Sequence, residues 1–263
     1  MTALGMVFPT NYPIEGLLPV ARSADDAGLD QLWLWEDYGG ASATASAAAA
    51  LASTRRLTVG IGLLPVPLRN VTAAAMEFAT LDRLFPGRIV PGIGHGAVEW
   101  MGRIGPRAAS PLTLLAEYAD ALRRLLRGER VTAQGRYVKL SGVALEPAPA
   151  QPLPVLVGGI RDKTVRLAGR FGDGLILASE TRPETIPRVL DEFRAGRDTA
   201  QRDTAGRAAA QRDTAGRAAA QRDAAQRDTA GRAAAQRDAA ERDAPGRSEG
   251  DAPAVVAFVP VPA

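Results

Sequence analysis

Cysteine is absent from this chain of 263 residues, and histidine occurs once, as His95. Without cysteine the chain forms neither a disulfide framework nor a thiolate metal site. A single histidine cannot supply the usual ligand sets for zinc, so we expect no bound metal. The sequence also contains no Walker motif, and nucleotide hydrolysis therefore lacks its usual signature.

Long apolar runs are missing as well. No segment has enough consecutive apolar residues to span a bilayer, and residues 2–9 lead into a strand pattern without the basic segment and apolar core of a signal peptide. These features predict a cytoplasmic protein without a membrane partner.

The net charge of +3 originates in one low-complexity segment, in which arginine recurs every fifth residue from Arg197 to Arg247. The remainder of the chain is neutral, so we expect no nucleic-acid partner. Decads at 200–209, 210–219 and 225–234 contain no bulky apolar residue and cannot form a core. A five-residue period advances roughly 140° around a helix, so the arginines spiral and form no basic stripe. A basic arm is the weaker interpretation, and we predict a mobile or partly helical insertion.

Before this segment, strand and helix patterns alternate as in βα units, and several strands are apolar throughout, which indicates an α/β fold with a covered parallel sheet. Strands are predicted at 4–8, 31–35, 57–64, 88–93, 154–157 and 175–178. Helices are predicted at 14–27, 43–54, 72–84, 112–126, 163–171 and 183–195.

The segment Pro91-Gly-Ile-Gly-His-Gly96 follows an apolar strand, and its glycines allow the backbone to approach a ligand closely. The spacing Gly92-x-Gly94-x-x-Ala97 imitates a dinucleotide fingerprint. The glycines and proline at 102, 105 and 106 rule out a long following helix, and no acidic strand end follows, so we reject a Rossmann interpretation.

Alanine dominates the second and third predicted helices, at 41–52 and 72–79. Two interpretations stay open: a homodimer contact through these helices, or close packing of each helix on its own sheet.

Several segments in order resemble the luciferase-like monooxygenase superfamily, in its branch of oxidoreductases that depend on the deazaflavin coenzyme F420. These segments are 28–38 (GLDQLWLWEDY), 59–65 (VGIGLLP), 79–88 (ATLDRLFPGR), 91–96 (PGIGHG) and 155–164 (VLVGGIRDKT). The resemblance implies a TIM-type (β/α)8 barrel with its cofactor at the carboxyl ends of the strands.

On that interpretation, residues 1–196 form a barrel domain of six βα units with a small antiparallel insertion at 130–145. Residues 197–250 are the repeat, and residues 251–263 form a final barrel strand. The barrel is then incomplete, with about seven strands and its last βα unit missing, and we expect low stability.

The resemblance also implies a cofactor site. Gly158, Gly159, Ile160 and Arg161 end the fifth strand, and a helix opens at Lys163 and Thr164. Amide groups, a hydroxyl and two cations at this point are suited to a phosphate, although the glycines also serve a simple turn and Arg161 a solvated surface.

Three further residues complete the predicted cofactor site. Leu64 and Pro65 end the third strand, where the resemblance places a backbone kink behind the flavin ring, and Gly94 ends the fourth.

Candidate catalytic residues close two strands. Glu36 and Asp37 end the second strand, where many family members carry an Asp-His pair, and here Asp37 stands in the histidine position. Either carboxylate serves as an acid or base or as a partner of the cofactor, or else as a helix cap or in a salt bridge. His95 ends the fourth strand and is suited to polarise a carbonyl or contact the ring, or to a structural hydrogen bond.

The resemblance implies hydride transfer between coenzyme F420 and an unknown small organic substrate. An FMN-dependent luciferase-like monooxygenase is the alternative within the family. A non-catalytic barrel remnant and a repeat-mediated interaction protein are alternatives of other classes.

Overall fold

The computed structural model describes residues 2–37, 39–105, 107–149, 151–178 and 181–206. Within these residues the strands are β1 (Gly5–Val7), β2 (Gln31–Leu34), β3 (Thr58–Ile61), β4 (Leu64–Pro65), β5 (Ile89–Val90), β6 (Gly92–Gly94), β7 (Val131–Gln134), β8 (Lys139–Val143), β9 (Leu156–Gly158) and β10 (Gly174–Ile176). The helices are α1 (Leu17–Asp26), α2 (Ala43–Ser53), α3 (Val71–Leu84), α4 (Val98–Arg103), α5 (Pro111–Leu125), α6 (Asp162–Phe171) and α7 (186–206). The 3-10 helices are Ile14–Gly16, Val66–Leu68 and Pro183–Thr185.

Eight of these strands run parallel in the order in which they occur along the chain. One sheet has the order β1-β2-β3-β5 and the other the order β10-β9-β6-β4. Since β4 continues β3 and β6 continues β5, the eight short strands occupy six consecutive strand positions, each followed by at least one helix. This is the progression of a (β/α)8 barrel. The strand predicted at 251–263 and the repeat residues 207–250 lie outside the described residues.

Large side chains on the strands pack against glycines of their neighbours. A Cβ atom on Gly60 would lie 2.5 Å from the ring of Trp33 on the adjacent strand, and one on Gly92 would lie 2.1 Å from the carbonyl oxygen of Ile61. The side chain of Ile176 would come within 2.5 Å of that same Cβ atom on Gly92, although β10 is not a neighbour of β6. Side chains of β2 and β10 therefore fill space that the glycines of β3 and β6 leave open.

The alanine-rich helices pack closely. Ala43, Ala47 and Ala50 of α2 are buried together with Leu51, and the Ser42 hydroxyl accepts the Ala45 amide at the amino end of the helix. The small side chains of α2 allow the helix to approach its sheet.

An antiparallel pair interrupts the βα order. Strands β7 and β8 pair antiparallel within 130–145. The carboxylate of Glu117 on α5 accepts the amides of Arg136, Tyr137 and Val138 in the connecting turn. Burial raises the pKa of Glu117, but these amides outweigh it and lower the pKa below its ordinary value. Glu117 therefore anchors the turn of this hairpin to helix α5.

Helices α6 and α7 cross with their backbones in contact. A Cβ atom on Gly169 would lie 2.0 Å from the carbonyl oxygen of Phe193, and one on Gly196 would lie 2.0 Å from that of Arg166. Asp203 accepts a salt bridge from Arg170 at 2.8 Å. The compact unit Met1–Thr204 thus includes the first residues of the repeat. The boundary predicted between residues 196 and 197 falls inside α7.

No helix among the described residues has the length and apolar character that a membrane crossing requires. The cytoplasmic location stays a prediction.

Candidate active site at the carboxyl ends of the strands

The predicted site residues end neighbouring parallel strands, so they lie at the same end of the sheet. Glu36 and Asp37 follow β2, Leu64 and Pro65 form β4, Gly94 ends β6 and His95 follows it, and Gly158 ends β9. In the register of the sheet, Pro65 pairs with Gly94 and Ile93 pairs with Val157.

Leu63 links the ends of three strands. A Cβ atom on Gly94 would lie 2.4 Å from Leu63 Cδ2, and one on Gly158 would lie 2.5 Å from the same atom. The two glycines therefore make room for this side chain. The peptide bond between Gly62 and Leu63 is cis, and β3 is interrupted there, two residues before the kink that the resemblance places at Leu64-Pro65.

Glu36 is 7% exposed, and its carboxylate has defined partners. Arg69 donates to its two oxygens at 2.6 and 3.2 Å, and the Ala43 amide at the start of α2 donates at 2.9 Å. Both the helix cap and the salt bridge considered for Glu36 are thus present. Its role as an acid or base stays a prediction, but these contacts favour a structural task.

Arg69 was not selected from the sequence. Its side chain is 18% exposed, and its Nε lies 3.3 Å from Glu77 on α3. Burial lowers the pKa of Arg69, but the two carboxylates outweigh it and raise the pKa above its ordinary value. The sequence does contain a signal for this ion pair. Arg69 follows the third predicted strand, and the neighbouring second strand ends in the acids Glu36 and Asp37.

Asp37 is half-buried and has different contacts. Its Oδ2 accepts the indole N–H of Trp35 at 3.0 Å and the hydroxyl of Thr10 at 3.3 Å. These bonds leave its other oxygen, Oδ1, without a hydrogen-bond donor in the described part of the chain. The two neighbouring carboxylates thus differ in their hydrogen bonding. Both oxygens of Glu36 accept hydrogen bonds, whereas Asp37 uses only Oδ2 within the described residues.

An open cavity of about 410 Å³ lies beside these two acids. It is lined by Glu36, Asp37, Gly39, Gly40, Ser42, Leu68, Arg69 and Ile104. A cavity of this size at the carboxyl ends of barrel strands is where ligands bind in this architecture.

His95 is half-buried, and burial lowers its pKa below 6.5. Its imidazole makes no hydrogen bond to other residues in the described ranges. The ring is therefore neutral at pH 7 and has a nitrogen able to accept a proton.

The predicted phosphate site has the groups that such a ligand needs. Helix α6 begins at Asp162 with no side-chain cap from Arg161, and the amides of residues 162 and 163 donate to no acceptor among the described residues. Arg161 and Lys163 are exposed, and Asp162 is paired with Arg188 of α7. Free amides and cations at the start of a helix suit an anion.

Thr164 has a packing role in the same turn. It is 6% exposed, and a Cβ atom on Gly159 would lie 2.8 Å from its Cγ2. Glycine at position 159 therefore lets the chain turn tightly from β9 into α6. The phosphate end of a flavin-type cofactor fits the residues present here.

Comparison with known proteins identifies the class. The family model described as luciferase-like monooxygenase matches residues 4–259, so the chain belongs to this family. The chain is 31% identical over 207 residues to an F420-dependent glucose-6-phosphate dehydrogenase of Nakamurella multipartita, which covers 72% of the chain and 61% of that protein. The chain spans about three fifths of the length of the curated relatives that it matches first.

Solved structures share the fold. An F420-dependent secondary alcohol dehydrogenase in complex with an F420-acetone adduct has a TM-score of 0.69 at 24% identity, covering 76% of the chain and 65% of that structure. A Baeyer-Villiger monooxygenase of Pseudomonas putida in complex with FMN has a TM-score of 0.63 at 18% identity, covering 75% and 63%. The α/β barrel-type fold and the luciferase-like family, both predicted from the sequence, are confirmed, and F420-dependent enzymes are among the relatives of the chain.

Proposed function

We propose that the chain is an F420-dependent oxidoreductase that transfers hydride between the deazaflavin and a small organic substrate. The observation that carries this proposal is the turn from β9 into α6. The amides at the start of α6 have no side-chain cap, and the exposed side chains of Arg161 and Lys163 place two positive charges beside them. The F420-dependent relatives support the choice of cofactor.

Bound F420 would supply the group that accepts or donates a hydride. In this proposal the amides of residues 162 and 163 hold its phosphate with Arg161, Lys163 and Thr164, while Gly158, Gly159 and Ile160 shape the turn. Gly94 and the β4 residues Leu64 and Pro65 border the ring site, with Leu63 as an apolar support.

We assign proton handling to His95 and Asp37. The neutral imidazole of His95 accepts a proton from a substrate hydroxyl as hydride leaves the carbon atom, and returns it in the reverse direction. Asp37, with a free acceptor oxygen beside the cavity, orients that hydroxyl. Glu36 holds the loop at the start of α2.

The test is a hydride-transfer assay on protein whose folding circular dichroism confirms. The sample is mixed with F420 and a panel of alcohols and sugar phosphates, and the decrease in F420 absorbance is followed. Turnover that is lost in the Arg161→Ala/Lys163→Ala double variant and retained in Lys139→Ala would support the proposal. Lys139 is a matched control because it is an exposed lysine on the separate β7-β8 hairpin.

The FMN-bound structure favours a second candidate, an FMN-dependent monooxygenase. An enzyme of this second kind would consume oxygen in the presence of reduced FMN and would not react with F420. A folded sample that is inactive with both cofactors would instead favour the non-catalytic remnant or the repeat-mediated interaction protein.

A further inference from the structure

One carboxylate closes the loop between β2 and α2. The Glu36 side chain accepts the Ala43 amide at 2.9 Å, which joins the two ends of the segment 37–42. The Glu36 amide also donates to the carbonyl oxygen of Leu63 at 3.2 Å. The residue before Asp37 is therefore held through both its backbone and its side chain.

Arg69 locks this carboxylate. Its guanidinium donates two hydrogen bonds to Glu36 and forms an ion pair with Glu77, so it ties the end of β2 to α3. A bidentate pair between arginine and a carboxylate fixes direction as well as distance. A lysine ammonium at this position cannot reproduce the planar fork.

The buried side of the pair is desolvated. Tyr118 of α5 is 2% exposed, and its hydroxyl has no hydrogen-bond partner in the described part of the chain. Burial raises the pKa of Tyr118, so the phenol stays neutral. A neutral phenol does not compete with Glu36 and Glu77 for the positive charge of Arg69. The attraction between the charges is screened less here than at the surface, and removing either partner would leave a partly buried charge without its counter-ion.

We propose that Arg69 is a positioning residue that sets the Asp37 carboxylate by locking Glu36 and the loop 37–42. Asp37 follows the clamped residue directly and lies on the wall of the same cavity as Arg69. A displaced loop moves Asp37 away from the substrate although Arg69 touches no reacting atom. The kinetic consequence rests on the proposed function, whereas the structural consequence does not.

The structural consequence is tested by hydrogen exchange and mass spectrometry on the full chain without cofactor. Arg69→Lys should speed amide exchange in residues 37–43 by about tenfold or more, because hydrogen bonds to charged groups are lost. Arg123→Lys is the matched control, since Arg123 is a part-buried arginine paired with Asp173 at 2.9 Å, and neither residue lines this cavity. Unchanged exchange in Arg69→Lys, or an equal increase in the control, would overturn the proposal.

The kinetic consequence is tested by a double-mutant cycle. Arg69→Lys should lower kcat by about 10- to 100-fold and leave the Kd for F420 unchanged, because small misplacements cost rate. In an Asp37→Asn background, the same change should have little further effect. Additive losses would contradict action through Asp37. If the wild-type protein transfers no hydride, the proposed function fails, and the exchange experiment still decides the role of Arg69.

Discussion

At the residue scale, buried carboxylates of this chain differ in what they bind. Asp25, near the end of α1, is 7% exposed and accepts the amides of Arg55, Arg56 and Leu57, which directly precede β3. Glu36 instead binds Arg69 and the start of α2. Asp25 therefore joins a helix to the amino end of a strand, away from the cavity, and Glu36 shapes the cavity itself.

Asp25 gives a prediction for the pH dependence of stability. The hydrogen bond from the Arg55 amide is the largest cause that lowers the pKa of Asp25 below 3.8. A carboxylate with a lowered pKa stabilises the fold above the pKa of the unfolded state, and that contribution is lost as the pH falls through the lower value of the folded state. Asp25→Asn should lower the free energy of unfolding at pH 7 by about 1–3 kcal/mol, measured by urea denaturation. A loss that is as large at pH 2 as at pH 7 would contradict this account.

His95 gives a prediction for activity. Because burial lowers its pKa below 6.5, the imidazole loses its accepting nitrogen only at acidic pH. The profile of kcat/KM against pH should fall on the acidic side with an apparent pKa below 6.5, and His95→Gln should remove that limb. A limb that persists in His95→Gln would assign the titration to another group.

At the element scale, the pattern of the sequence predicts most of what the structure contains. The helix predicted at 43–54 is observed at Ala43–Ser53, and the strand predicted at 31–35 is observed at Gln31–Leu34. Apolar runs and glycine turns carry this information locally. The break of the third strand at Gly62-Leu63 and the contacts of Arg69 could not be predicted, because they depend on neighbouring strands that are distant in sequence.

The start of the repeat shows the same limit. The composition predicts a mobile or partly helical segment from residue 197, and the packing that places residues 197–206 in α7 is not visible in that composition. Glycines at 169 and 196 let α6 and α7 touch, and Arg170 and Asp203 then pair across them. Packing of this kind outweighs the low helix propensity of glycine.

The crossing of α6 and α7 gives a prediction with an internal control. Gly196→Ala should lower the free energy of unfolding by about 2 kcal/mol or more, because the new methyl group meets the Arg166 carbonyl. Gly206→Ala, in the same helix and with no described residue within 4 Å of its Cβ position, should stabilise by roughly 0.5–1 kcal/mol. Urea unfolding of the two variants compares them. Equal effects would show that the crossing does not limit stability.

At the scale of the whole molecule, the outer face of α3 exposes two large apolar side chains. Met76 is 58% exposed and Leu84 is 64% exposed. The other exposed residues on this face are Ala73, Thr80 and Arg83. Exposed apolar side chains grouped on one helix mark contact surfaces. We propose that α2 and α3 form a homodimer contact through this face.

The dimer proposal predicts a change of mass. Light scattering after gel filtration should give twice the mass of the chain for the wild type and the mass of one chain for Met76→Glu. Leu4→Glu is the control, since Leu4 is 67% exposed and lies outside α2 and α3. A wild-type monomer at micromolar concentration, or dissociation by the control alone, would contradict the proposal.

The central claim is that the barrel mouth binds F420 through the turn from β9 into α6. Equilibrium titration of the folded chain with F420, with FMN in parallel, tests it most directly. The expected result is saturable binding selective for F420. Binding should be weaker in Arg161→Ala/Lys163→Ala by about 2 kcal/mol or more, because charge-assisted bonds to the phosphate are lost, and unchanged in Lys139→Ala. Binding selective for FMN, or no binding of F420 by the folded chain, would contradict it.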